Sequence, residues 1–449
     1  MTNGASGMRL PAAIKILRRI RGFLNLAFDV VEEISNLAER THDSVVERSA
    51  RRIALIDPSK PSESVAEIVS GLHMAISGSV FKSIRGISDI THITANAVAE
   101  GAEAVVYQAT DAAPDLVTPL NSTAAGTASW YVDHLQASIN GFWGDHLRRR
   151  MNRLDLGMTL RHNGRELSAT PQALAAAFPN PSNKVCLLVH GLGATEWLWS
   201  LSSEKHYGNP DVTLGTRLHD DLGMTPIYVR YNTGRHISEN GRALAALLTE
   251  VFEAYPVPIE EIALIGFSMG GLVVRSAAHY AREQDAAWIA HLRHVACIAS
   301  PHLGAPLEKG VNLLAGVLRN VPTVGAQVSA ELLNSRSAGV KDLRFGYTID
   351  EEWAGNDPDE VLVDARRDVP LVEGVGYYFL AATISHDPQH PLGKLFGDLL
   401  VRLPSATGEP PEPTRRIHFT GGAVLPDMHH GHIASHPDAY DVLREMLAP

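Results

Sequence analysis

The chain has 449 residues, 45% of them apolar and 20% charged, a balance suited to a globular protein with a large core. Its formal net charge of −11 at pH 7 argues against a general nucleic-acid binder. No run reaches the ~18 consecutive apolar residues of a spanning helix, and the amino terminus lacks the compact apolar core and cleavage site of a secretory leader.

Residues 8–57 read as helix, with Leu10, Ile14, Leu17, Leu24, Phe28 and Val31 at three- and four-residue steps and Arg21 interrupting the stripe. Arg9, Lys15, Arg18, Arg19 and Arg21 all precede the first acid, Asp29. A basic helix of this kind either lies on an anionic bilayer or packs on its own domain. Residues 65–110 also read as helical and are rich in small side chains, among them Gly71, Ala75, Gly78, Gly86 and Ala95. Such side chains let helices approach closely. A third helical stretch over 128–150 ends in Arg148-Arg149-Arg150. Residues 1–150 thus form a helical N-terminal region without strand alternation or a catalytic cluster.

The texture changes after residue 150. "MTLRHNGREL" is a strand, an Asn163-Gly164 turn and a second strand, a hairpin signal. Strands then alternate with helices: Val185–Val189, a helix near 213–222, Ile227–Tyr231, a helix over 239–254, Ile262–Phe267, a helix from 270, Val295–Ala299, and later strands at Tyr377–Ile384 and Ile417–Thr420. This alternation predicts an α/β domain over 151–449 with a mainly parallel sheet flanked by helices. Cys186 and Cys297, the two cysteines, sit inside apolar strand-like runs. They read as buried free thiols in a reducing compartment, which points to a cytoplasmic protein.

The chemistry centres on Gly266-Phe267-Ser268-Met269-Gly270, where an apolar strand meets a helix. By itself this spacing is weak. In that position it describes the sharp turn that lifts a serine clear of a sheet, with glycines removing side chains from the bend and helix amides aimed at the site. A serine nucleophile needs a histidine base, a carboxylate to orient it, and an oxyanion hole. The strand ending in His190-Gly191-Leu192-Gly193 offers the last: the N–H groups of Leu192 and Met269 are the expected donors. His190 itself reads as a structural residue bracing that loop.

"VHGLG", "GFSMGG" and "SPHLGAP" (Ser300–Pro306), in this order, resemble the α/β-hydrolase superfamily, and its lipase and esterase branch in particular. The likeness spans roughly residues 180–449. It implies a triad in the order Ser, Asp, His. Gly397-Asp398-Leu399-Leu400-Val401 matches the acid-bearing stretch at Asp398, although Leu399 stands where many lipases keep glycine, and Asp387 in "SHDPQHP" competes. The helix start His436-Pro437-Asp438-Ala439-Tyr440 matches the family pattern that places the base at His430, with His429 and His432 as neighbours rimming the site.

The resulting expectation is a serine hydrolase that cleaves carboxylic esters through Ser268, His430 and Asp398 by way of an acyl-enzyme, acting on an acyl ester or lipid. Residues 307–343 suit a cap or lid, or a structural excursion. Trp197 and Trp199 either line an acyl pocket or pack in the core. The histidines around Asp427 do not sit on a helix face with metal-ligand spacing, so neither a metal nor a cofactor is expected. Acyl transfer, thioester or amide cleavage on the same fold remains the alternative chemistry. A scaffold that touches membranes or partners through the N-terminal helices, with a secondary hydrolase domain, is the alternative class.

Overall fold

The computed structural model describes residues 123–149, 154–305, 336–356, 364–410, 412 and 415–448. The helices read over 8–57 and 65–110, and positions 307–335 of the expected cap, lie outside these. The chain divides into two compact units, Met1–Leu135 and Gln136–Pro449. Among the described residues no helix is long and apolar enough to cross a membrane.

The second unit is built on an eight-stranded sheet in the order β2-β1-β4-β3-β5-β6-β7-β8. Its strands are β1 (Met158–His162), β2 (Arg165–Leu167), β3 (Lys184–Val189), β4 (Thr225–Tyr231), β5 (Glu261–Phe267), β6 (Leu292–Ile298), β7 (Gly376–Ala382) and β8 (Gly421–Leu425). β1 runs antiparallel to both β2 and β4, and every pairing from β4 through β8 is parallel. Asn163 (φ 49°) and Gly164 (φ 71°) make the two-residue turn between β1 and β2, where both central residues must take positive φ.

The central strands read as unbroken apolar runs because both of their faces are covered. Val185, Leu187 and Val189 of β3 and Ile262 and Leu264 of β5 enter one core. Cys186, Leu188, Ala263, Ile265 and Phe267 enter the other. The helix Ile237–Ala254 closes the first face with Leu244, Leu248 and Val251. The helices Leu214–Leu222 and Pro437–Leu447 close the second with Leu218, Tyr440 and Leu443.

β8 departs from the strand expected at Ile417–Thr420: it begins four residues later, at Gly421, just past the end of that stretch. Gly421-Gly422 looks like a strand breaker, but a Cβ on Gly422 would enter the Phe379 ring of β7. The glycine lets the strands approach, and Phe419 packs on Phe379 instead of entering the sheet.

Between β3 and β5 the chain reverses its direction of travel across the sheet, since β4 lies on one side of β3 and β5 on the other. The crevice beyond the carboxyl ends of such strands is where α/β sheets bind ligands. His190 leaves β3 and Ser268 leaves β5 at this point, with Val189 in register with Gly266.

Cys186 and Cys297 are fully buried, and burial pushes the Cys297 thiol up to about 12 and that of Cys186 higher still. Thiol titration with an aromatic disulfide reagent is expected to find no reactive thiol in the native protein and two after denaturation; rapid native labelling of either would contradict this packing.

Candidate active site

The turn at Ser268 is enforced by close packing. Ser268 has φ 54° and ψ −121°, a sparsely populated conformation for a residue with a side chain. A Cβ on Gly266 would collide with the carbonyl oxygen of Gly270, and a Cβ on Gly270 with that of Val189. β5 and the helix Met269–Glu283 therefore fold back tightly against each other and against β3. The backbone N–H of Ser268 donates to the Ile298 carbonyl of the neighbouring strand (2.7 Å), so the bend is tied to the sheet on both sides.

His430 reaches this serine from the far end of the chain. Its Nε2 lies 3.0 Å from Ser268 Oγ, and its Nδ1 lies 2.7 Å from Asp398 Oδ2. Asp398 is 1% exposed. Its other oxygen accepts from the backbone N–H groups of Leu400 (3.0 Å) and Val401 (2.8 Å), so the buried carboxylate is fully satisfied. The Asp398 carbonyl also takes the backbone N–H of His430 (2.9 Å), fixing the two segments by main chain as well as side chain. Asp387 is exposed and spends its carboxylate on the backbone N–H of Gln389; the acid brought to His430 is Asp398. Leu399 adopts φ 89°, a region that favours glycine. The departure from the glycine of many lipases is thus accommodated by strain.

The loop after β3 passes directly over the serine: a Cβ on Gly191 would sit 3.0 Å from Ser268 Cβ. Among the described residues no acceptor takes the backbone N–H of Leu192 or of Met269. His190 is buried behind this loop. Its Nε2 accepts from the Tyr231 N–H (3.4 Å), its Nδ1 donates to the Gly191 carbonyl (2.9 Å), and its ring stacks on Tyr231. It braces the loop.

Three supports of the site are not evident from the sequence. The first is the helix Thr123–Arg149, whose Gly141 approaches the loop so closely that a Cβ there would lie 3.2 Å from Gly193 Cα. Asn140 and Ser337 secure this turn through Asn140 Nδ2 to the Leu154 carbonyl (2.7 Å) and Ser337 Oγ to the Gly141 carbonyl (2.6 Å). Nothing in the sequence around Gly141 marks it for such a role. The second is Glu196, whose carboxylate accepts a bidentate pair from Arg230 (2.7 Å each) and a further bond from Arg161 Nε (3.1 Å). This cluster pins the turn Glu196–Ser200 to β4 and β1. Trp199 of that turn is fully buried in the core, and Trp197 rests on Gly164 of the hairpin; both pack.

The third is a histidine cluster. His430 is drawn to the serine, while His432 and His436 gather with His206, the three offering nitrogen atoms all within 4.8 Å of one another. His429 is exposed and stacks on His432, and Asp427 pairs with exposed His386 instead (2.7 Å). His436 is also the N-cap of the C-terminal helix, its side chain accepting from Asp438 N. Burial, with repulsion from the neighbouring histidines and Lys205, lowers His432 to about 4.

A mainly parallel sheet with an elbow serine at the switch point, a histidine and acid following in chain order, and a glycine loop after β3 is one arrangement. This is the α/β-hydrolase fold. Residues 180–341 match the family model described as "Putative serine esterase (DUF676)", a segment that holds the loop and the elbow. None of the curated proteins matches it. Among solved structures it is similar to the lipase of Staphylococcus hyicus, with 16% identity over 60% of this chain and 92% of that one and a TM-score of 0.32. It is also similar to phospholipase PlaB of Legionella pneumophila, with 14% identity over 60% of each chain and a TM-score of 0.36. A lipase-esterase related protein of Clostridium acetobutylicum matches at 12% identity over 59% of this chain and 93% of that one, with a TM-score of 0.33.

Replacing Glu196 with Gln leaves Arg230 and Arg161 buried against a neutral group, and breaking buried pairs of this kind costs about 3–5 kcal/mol. Denaturant unfolding of E196Q is expected to show a loss of that order, and an unchanged midpoint would mean that the cluster does not hold the loop.

Proposed function

We propose that this α/β-hydrolase cleaves carboxylic esters through Ser268, His430 and Asp398, with an acyl-enzyme intermediate. The observation that carries the reading is the continuous relay from Asp398 Oδ2 through His430 to Ser268 Oγ, at 2.7 and 3.0 Å. Asp398 accepts the Nδ1–H of His430, which leaves the Nε2 lone pair directed at the serine hydroxyl. As Oγ attacks the acyl carbon, Nε2 takes its proton, and the imidazolium that forms is stabilised by Asp398. The carbonyl oxygen becomes an oxyanion against the N–H groups of Leu192 and Met269. Collapse of the tetrahedral adduct expels the alcohol, which receives the proton from Nε2. Water then repeats the sequence on the acyl-enzyme and releases the acid.

The surroundings favour an apolar acyl group. Leu192, on the loop that passes over the serine, is 37% exposed. A large apolar side chain left in solvent at such a place suits a substrate that covers it. An acyl ester or lipid is therefore the substrate class, with thioester and amide bonds as competitors for the same machinery.

Hydrolysis of a p-nitrophenyl ester series from acetyl to palmitoyl tests this. Ser268→Ala is expected to lower kcat by about 10⁶-fold and Asp398→Asn by about 10⁴-fold, with KM little changed. A folded S268A protein that retained the wild-type rate would refute the assignment of the nucleophile. Inactivity of the folded wild type on every ester, with turnover of thioesters or amides, would replace the substrate class.

A further inference from the structure

The cluster of His206, His432 and His436 is outside the serine relay, and its chemistry is different. The three rings come from two distant segments. His206 lies in the short helix Ser203–Tyr207, and His432 and His436 flank the start of the C-terminal helix. Ring centroids are 5.4 Å apart for His206 and His432, 5.1 Å for His206 and His436, and 4.8 Å for His432 and His436. His436 meets the other two edge-on, at 71° and 76°, so ring edges converge instead of stacking face to face.

Two further observations point to a ligand. The Nε2 of His206 is buried and has no hydrogen-bond partner among the described residues, which is costly for a polar atom taken from water. Neither ring nitrogen of His432 has one either. The frame around them is firm: Tyr207 OH accepts from Arg217 Nη1 (2.9 Å) and donates to the Ser435 carbonyl (3.5 Å), and Arg217 stacks 3.5 Å over the Tyr440 ring. The three imidazoles are thus held together with only the Nδ1 of His436 taking a hydrogen bond, the cap bond from Asp438 N.

We propose that His206, His432 and His436 bind one divalent transition metal of the zinc class. Three neutral imidazole donors suit Zn²⁺, Co²⁺, Ni²⁺ or Cu²⁺ and not Mg²⁺ or Ca²⁺. A tetrahedral ion with bonds of about 2.0–2.1 Å sets its nitrogen ligands about 3.4 Å apart. Ligand atoms within 4.8 Å of one another reach that spacing by side-chain rotation. His436 would exchange its weak cap bond from Asp438 N (3.2 Å) for donation from Nδ1 to Asp438 Oδ2, now 3.7 Å away. That is the carboxylate partner a metal-bound histidine commonly has. The fourth position faces solvent, since all three residues are half-buried. The bound ion staples residues 203–207 to the loop that presents His430, and the site stands whether or not the esterase reading is correct.

The test uses full-length protein stripped with a chelator and titrated with Zn²⁺ by calorimetry, and with Co²⁺ by visible absorption. One Zn²⁺ per chain is expected. Co²⁺ should give the intense visible bands of a tetrahedral site, and hydrogen exchange over 203–207 and 429–436 should slow on loading. His206→Gln and His436→Asn, the latter keeping a capping residue at the helix start, are each expected to weaken Zn²⁺ binding at least 10-fold. His418→Ala, at an exposed histidine elsewhere, should leave it unchanged. Absence of Zn²⁺ binding by the wild type, or equal binding by the wild type and both cluster variants, would overturn the proposal. Because no step of the test reads ester turnover, its failure is distinct from failure of the esterase assignment.

Discussion

The site depends on one backbone constraint, the close approach of β3, β5 and the helix after Ser268. Because glycines stand at 266 and 270, that helix starts almost on top of the strand, and Ser268 must take a positive φ to connect them. The strain is affordable only because the surrounding sheet is buried on both faces and cannot relax around it. The same geometry points Ser268 Oγ toward His430 and leaves the Met269 N–H, at a helix start, without a partner among the described residues. The proposed nucleophile and the proposed oxyanion donor are thus two consequences of a single bend.

The other parts of the site are held to that bend by separate devices. Asp398 is placed by backbone amides and by its carbonyl bond to His430 N, so acid and base move as one unit. The glycine loop is placed from behind by His190 and Tyr231, from one side by Gly141, and beyond its end by Glu196 with two arginines. Apart from the close packing of Gly141, each device satisfies a buried polar group that would otherwise be costly. None contributes a reacting atom, and their contribution is to keep hydrogen-bond distances near 3 Å.

How much of this was legible in the sequence follows from the range over which each cause acts. The central strands were readable because burial on both faces leaves a local signature, an unbroken apolar run. β8 was misplaced by four residues because Gly421 and Gly422 look like a break; the Phe379 ring across the sheet explains Gly422. Ser268 was readable from its place at a strand–helix junction. Distance along the chain from β7 favoured Asp387 over Asp398, and a family pattern was needed to prefer the latter. The fold brings Asp398 to His430 because the segment 397–401 turns back on itself, with Asp398 N bonded to the Val401 carbonyl, and local composition does not encode that reversal. Gly141 and Glu196 were not legible as supports, because a glycine and a surface-type acid acquire their roles only from what folds against them.

The histidines show the same limit most sharply. His429, His430, His432 and His436 fall within eight consecutive residues and are chemically identical in the sequence, yet they have separate fates. His430 is turned inward by Asp398, His429 outward, and His432 and His436 sideways toward His206. A chain turn spreads these side chains in different directions, so spacing alone cannot sort base from bystander. Judged by spacing, the group fails the metal test, because a pair at 432 and 436 off a helix is not a recognised ligand set. What changes the judgement is a third imidazole from a segment far along the chain with its Nε2 buried and unpartnered. A polar atom removed from water without compensation is a free-energy cost that the fold retains at His206 Nε2, and the proposed cation, shared with the lone pairs of His432 and His436, would offset it.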